Sequence, residues 1–380
     1  MERTEQSGSG RPPKFLGRVL GILLAAGSVS FAPQDASKKE PRFLLLHDWY
    51  DKSPASTPAF IRENREFLDA RPFDGIAVYV RTPDQSLNVS TSILSEKMLG
   101  YSEIADALAP LKGLAFRHLT ENFAAVIGGR PPDFMDDWSA PIVNFAHLAR
   151  AARQAGLKGI YFDNEMYYAP WADYPKGVRH PEKSLADYQD RARLRGREVM
   201  QAMVAQFPEI TILLLHGPYI SEPRAPAPLF PQLQSNNELH GPFFAGFVEG
   251  AGERARVVDG GELYHLRTEE QFRKSYEWRK NALPSAEIDC TFIPAATRAV
   301  WGDRVSLGFG VYDQSFKGVP MNPEVLETTL ARALRRSDRY VWLYVEGPSF
   351  LKPSGEGGAP ADWVEAVRRA KAAAVKEPAR

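Results

Sequence analysis

Gly156-Leu157-Lys158-Gly159-Ile160-Tyr161-Phe162-Asp163-Asn164-Glu165-Met166-Tyr167-Tyr168 is the stretch from which the fold can be read. A helix-patterned segment, 142–154, leads into it. Gly156 breaks that helix, and a short apolar run follows. The run stops abruptly at Asp163, Asn164 and Glu165 and passes into Tyr167, Tyr168, Trp171 and Tyr174. This is a helix–strand unit whose strand ends in acids and aromatics. Barrels of repeated βα units carry their working residues at such carboxyl ends. A capping Asp or Asn ahead of a helix would account for one polar residue here. It does not account for two acids, an amide and four aromatics in one window.

Seven more apolar runs share this form, at 43–50, 73–80, 113–118, 210–219, 255–262, 305–313 and 340–347. Helical patterns separate nearly all of them, at 59–70, 101–111, 184–206, 243–250, 268–281, 323–337 and 361–374. Strands alternating with helices imply parallel strands joined by crossovers. Eight such units predict an α/β chain forming a single (β/α)8 TIM barrel over residues 41–375. An open doubly wound sheet is the competing arrangement, but no strand is followed by a G-x-G-x-x-G phosphate loop.

The 380 residues are 44% hydrophobic and 25% charged, an ordinary globular composition. Lys+Arg and Asp+Glu balance at 47 each, so there is no basic excess to suggest nucleic acid. Arg11, Lys14 and Arg18 precede an apolar core from Val19 to Ala26, and Ser30-Phe31-Ala32 supplies small residues for cleavage. Residues 1–32 are therefore expected to be a signal peptide and 33–40 a linker, with the protein exported to the periplasm or medium. Pro33 disfavours cleavage after Ala32, and a site near Ala36 is the alternative. No apolar run reaches the roughly 20 residues of a membrane span. The single cysteine, Cys290, excludes an internal disulfide and a cysteine metal cluster.

In a barrel, the mouth is read from the strand ends. They supply His47 and Asp48, Tyr79 and Arg81, Arg117 and His118, Asp163 and Glu165, His216 and Tyr219, Asp259 and Glu262, Tyr312 and Asp313, and Tyr344 and Glu346. The strand starts show no such bias. Asp163 and Glu346 follow directly on apolar core residues, where burying a charge costs most. Paired carboxylates beside aromatic rings suit a sugar: rings stack on its C–H faces and acids work on the glycosidic bond. Glu165 is the expected general acid. Its partner is sought among Glu346, Asp163, Glu262 and Asp313, in that order. Asn164, His47, Asp48, Tyr79, Arg81, His118, Tyr167, Trp171, His216, Tyr312 and Tyr344 are the expected substrate contacts, with no cofactor and no metal.

Asn164-Glu165 at the end of the fourth strand resembles the Asn-Glu pair of clan A glycoside hydrolases. There the Glu is the acid/base and the Asn contacts the sugar 2-hydroxyl. The segment from Gly159 to Glu165 also resembles a degraded D-G-x-D-x-D-x-E motif of family 18 chitinases. That likeness implies Glu165 as the acid and Asp163 as the residue assisting an N-acetyl group. Lys158 and Tyr161 stand where the motif has aspartates, and Glu346 sits one strand later than the clan A pattern requires. Two other readings stay open. A metal-dependent hydrolase would draw on His47, Asp48, His118, His216, His265 and Asp313, although no H-x-H or H-E-x-x-H spacing is present. A non-catalytic barrel would use the same aromatics to bind carbohydrate.

Overall fold

The computed structural model of the protein describes residues 41–49, 55–230 and 237–376. The expected signal peptide and linker, 1–32 and 33–40, lie outside the described residues. From Glu40 onward the chain forms one compact unit.

The elements run β1 (Phe43–Asp48), α1 (Pro58–Glu63), α2 (Arg65–Asp69), β2 (Gly75–Tyr79), α3 (Val89–Ser92), α4 (Tyr101–Leu108), β3 (Phe123–Ile127), α5 (Ser139–Gln154) and β4 (Gly159–Asp163). They continue as α6 (Leu185–Gln206), β5 (Thr211–Leu214), α7 (His240–Gly250), β6 (Arg256–Asp259), α8 (Glu269–Glu277), α9 (Ala295–Arg304), β7 (Val305–Leu307) and β8 (Phe309–Tyr312). The chain closes with α10 (Pro323–Arg336), β9 (Tyr340–Val345), β10 (Ser349–Ser354) and α11 (Ala361–Lys376).

Nine strands pair in parallel in the order β7-β6-β5-β4-β3-β2-β1-β9-β8. β7 and β8 are two halves of one stave, parted only by Gly308. The first half pairs with β6 and the second with β9. The Gly308 amide donates to the Asp259 carbonyl at 2.7 Å and the Gly310 amide to the Gly261 carbonyl at 2.9 Å, which carries the stave across the seam. A Cβ on Gly308 would lie 2.8 Å from the Tyr340 carbonyl oxygen. The result is the expected eight-stave barrel, a TIM barrel.

Side chains alternate along each stave. Leu44, Leu46, Ile160, Phe162, Ile212 and Leu214 face the helices and join the outer core. Leu45, Ala77, Tyr79, Phe123, Tyr161, Leu213, Val258, Tyr264, Tyr340 and Trp342 fill the interior. The same alternation turns Asp163 inward, in phase with Tyr161, at the carboxyl end of β4. α6 and α7 approach closely through glycines: a Cβ on Gly196 would lie 2.1 Å from the Phe243 carbonyl oxygen. Among the described residues, no helix is long and apolar enough to cross a membrane.

One expectation fails in this region. The third strand is not 113–118 but Phe123–Ile127. A stave buried on both faces needs an unbroken apolar run, which Phe123-Ala124-Ala125-Val126-Ile127 provides and Arg117-His118 interrupts. Instead, the Asp69 carboxylate accepts from the amides of Arg117, His118 and Leu119 at 2.7, 2.7 and 2.9 Å. His118 is thus exposed ahead of β3, at the end of the barrel away from the mouth, and is no substrate contact. α9 is an addition, formed in a stretch, 282–304, to which the sequence patterns assign no element.

Candidate active site

The carboxyl ends of β4, β5 and β6 bring Asp163, Glu165, His216 and Glu262 together. His216 is the hub. Its Nε2 lies 3.1 Å from Glu165 Oε1 and 3.5 Å from Glu262 Oε2. The His216 backbone is fixed by Asn164, whose Oδ1 accepts from the His216 amide at 2.9 Å and whose Nδ2 donates to the His216 carbonyl at 3.0 Å. The Asn164 side chain therefore clamps β4 to β5. Both its polar atoms are engaged with backbone, which corrects the expectation that it contacts a sugar.

Asp163 is buried behind Glu165. Its Oδ1 accepts from the Glu165 amide at 3.3 Å and its Oδ2 from the Tyr167 hydroxyl at 3.1 Å. The same Tyr167 hydroxyl helps to hold the Glu165 carboxyl down. Gly128, directly after β3, makes room for this loop. A Cβ there would lie 3.0 Å from the Tyr167 ring and 3.1 Å from the Glu165 carbonyl oxygen, at a φ of +36°. Glu165 is the cluster's most exposed member, its side chain 32% accessible against 8% for Glu262. It lines an open cavity of about 310 Å³ with Met166, Tyr167, His216, Ile220, Asn237 and His240.

The environment divides the four groups. Burial drives the Asp163 carboxyl up to about 7, and the neighbouring Glu165 charge adds to it. Burial would raise Glu165 as well, but the hydrogen bond and charge of His216 outweigh it and hold Glu165 below the usual range. Burial opposes a charge on His216, yet the carboxylates of Glu262 and then Glu165 lift it to about 9. Glu262 is pushed up by burial, against the pull of His216. Two protonatable carboxyls thus back an ionised one. Of the candidate metal ligands, His216 alone belongs to a cluster suited to a cation: Glu165, His216 and Glu262 offer ligand atoms within 4.8 Å of one another.

The remaining candidates divide into rim and scaffold. Glu346 is exposed on the rim, where its carboxylate accepts from the hydroxyls of Tyr344 (2.9 Å) and Tyr312. Those two rings stack at 5.4 Å. Asp313 does different work: its two oxygens accept from the amides of Glu346 (3.0 Å) and Gly347 (2.9 Å), holding the turn after β9. Both oxygens hold backbone, so Asp313 is a brace and not the partner acid. Asp48 likewise accepts from Ser349 Oγ at 2.8 Å and the Phe350 amide at 3.0 Å, tying β1 to β10. Tyr79 is buried, and its hydroxyl accepts from Arg81 at 3.3 Å and from Asn88. Trp171 is 7% exposed and packs on Phe243 and His240 at 5.9 and 4.9 Å, so it supports the site from the outer core and offers no open face. His47 is buried within 2.9 Å of the Tyr161 hydroxyl, and burial lowers its pKa to about 3. Burial and then the Glu222 charge raise the Cys290 thiol to about 12, far from a nucleophile.

His240, Tyr161 and Tyr264 belong to the site and were missed. Tyr264 works against the rise of the Glu262 carboxyl, and its two-residue spacing from Glu262 was available as a signal. Tyr161 sits two before Asp163 on the inward face. His240 opens α7 instead of ending a strand, so reading strand ends could not reach it.

Among solved structures, the chain resembles TIM-barrel glycoside hydrolases. It is 10% identical to active domain 2 of a thermostable chitinase from Pyrococcus furiosus, over 88% of this chain and 95% of that one, with a TM-score of 0.45. An exo-beta-1,4-mannosidase from Opitutaceae bacterium strain TAV5 is 15% identical over 90% of this chain, which spans 62% of the mannosidase, with a TM-score of 0.45. A beta-mannanase from the blue mussel Mytilus edulis is 11% identical over 87% and 92% of the two chains, with a TM-score of 0.42. No protein-family model matches the sequence, and no curated protein matches it. The fold rests on the strand pairings described above, and these likenesses add nothing to the chemistry.

Proposed function

We propose that the protein is a glycoside hydrolase-like enzyme that cleaves a glycosidic bond in a poly- or oligosaccharide, with Glu165 as general acid. The observation that carries this reading is the placement of Glu165 on an open cavity, with Asp163 buried directly behind it and accepting from the Glu165 amide and the Tyr167 hydroxyl. Glu165, ionised at rest, takes up the proton of the neighbouring Asp163 carboxyl and passes it to the leaving oxygen, while water adds to the anomeric carbon and gives its proton to Glu346. A carboxyl poised near neutrality is what proton transfer at physiological pH requires. The second carboxylate facing a substrate is Glu346, held by two tyrosines whose rings offer stacking surface on the same mouth. Glu262 and Asp163 are buried behind Glu165, with His216 between Glu165 and Glu262 as the balancing cation.

The test is a panel of polysaccharides and aryl glycosides assayed for bond cleavage and, separately, for binding. Glu165→Gln is expected to lose roughly 10²–10⁴-fold in kcat while retaining sugar binding. Sugar binding by the wild type without turnover on any substrate would instead make it a non-catalytic carbohydrate-binding barrel.

A further inference from the structure

We infer that Glu165, His216 and Glu262 form a binding site for one divalent cation of the Zn²⁺ or Mn²⁺ class. One imidazole and two carboxylates are a donor set for such ions. The three arise at the ends of three successive staves, which sets them on a rigid frame. A tetrahedral shell with bonds of about 2.0–2.1 Å has ligand–ligand edges of about 3.4 Å. The two edges from His216 Nε2 are 3.1 and 3.5 Å, with all three atoms inside 4.8 Å of one another. Little movement is needed to receive an ion.

The frame is held from outside as well, since Asn164 clamps the His216 backbone at 2.9 and 3.0 Å. The His216 ring is 4% exposed and its Nδ1 has no partner among the described residues, so the ring's polar contacts are spent at Nε2, inside the cluster. The cavity on which Glu165 and His216 open gives an ion access and leaves its remaining positions to water or a substrate oxygen.

The inference stands on side-chain geometry and is independent of glycoside hydrolysis. A cation on Glu165 excludes its proton, so Zn²⁺ is expected to inhibit any hydrolysis that depends on it. The experiment is isothermal titration of Zn²⁺ and Mn²⁺ into the chelator-dialysed protein, with circular dichroism to check each variant's fold. One ion per chain is expected. His216→Asn and Glu262→Gln should each weaken binding at least ~10-fold, and His180→Asn, in the surface cluster with Asp136, should leave it unchanged. Imidazole-nitrogen coupling in the electron paramagnetic resonance of the Mn²⁺-loaded wild type tests the same ligand should a variant not fold. Absence of saturable binding to the wild type, binding that survives both substitutions, or a bound Mn²⁺ without nitrogen coupling overturns the inference and leaves His216 as the centre of an ion triad. Hydrolysis, read separately, can fail without touching this result.

Discussion

Asn164→Ala removes the contact that joins the ends of β4 and β5. Asn164 is 1% exposed, and its side chain satisfies both the amide and the carbonyl of His216, at 2.9 and 3.0 Å. Those groups are part of the buried end of a stave, where an unmet polar group costs about 1–3 kcal/mol. Losing both partners is therefore worth about 2–5 kcal/mol after some relaxation, a large part of the 5–15 kcal/mol that holds a typical domain together. Urea unfolding of wild type and variant measures this directly as a drop in midpoint at constant slope. The same variant should lose catalysis out of proportion to its stability, because His216 no longer holds Glu165 in place. A loss below about 0.5 kcal/mol, within the range of an ordinary surface change, would refute the reasoning.

Three further outcomes follow from the scaffold. Asp259→Ala strips the partner from Arg279, which is fully buried and paired to it at 3.0 Å, so unfolding measurements should show a cost of about 3–5 kcal/mol; a near-neutral result contradicts a buried, charged Arg279. Gly196→Ala drives a methyl into the Phe243 carbonyl at the α6–α7 crossing and should cost at least about 1–3 kcal/mol despite the better helix propensity of alanine; a gain in stability would mean that the helices do not approach as described. His47, with its pKa lowered by burial to about 3, takes no proton in the fold but takes one below about 6.5 when unfolded. Its contribution is intact above pH 6.5 and is lost on acidification towards 3, at up to about 1.4 kcal/mol per pH unit. His47→Gln, which can still bond the Tyr161 hydroxyl, should close on the wild type in stability between pH 6.5 and 4.5, and a pH-independent difference would contradict the neutral, buried ring.

The barrel was legible because its staves are buried on both faces and so appear as continuous apolar runs between amphipathic helices. The one misplaced stave shows the limit of that signal. 113–118 looked strand-like in isolation, and only the Asp69 carboxylate, capping three amides in a row, makes it a turn. The site was half legible. Asp163, Glu165, His216 and Glu262 all stand at strand ends, and they do converge. Sequence could not sort working acids from braces, because Asp313 and Asp48 occupy the same kind of position and differ in accepting backbone amides from the turn after β9 and from β10. Nor could it find the hub: that His216 faces two carboxylates depends on the register of three staves, and its clamp is an asparagine that looked like a sugar contact.

The most direct test of the central claim compares turnover in Glu165→Gln and Asp313→Asn on whichever glycoside the wild type cleaves. The account predicts that Glu165→Gln loses roughly 10²–10⁴-fold in kcat with binding retained, while Asp313→Asn, altered only in a brace, keeps turnover within about tenfold. Equal activity in Glu165→Gln and wild type, or a loss confined to Asp313→Asn, would contradict it.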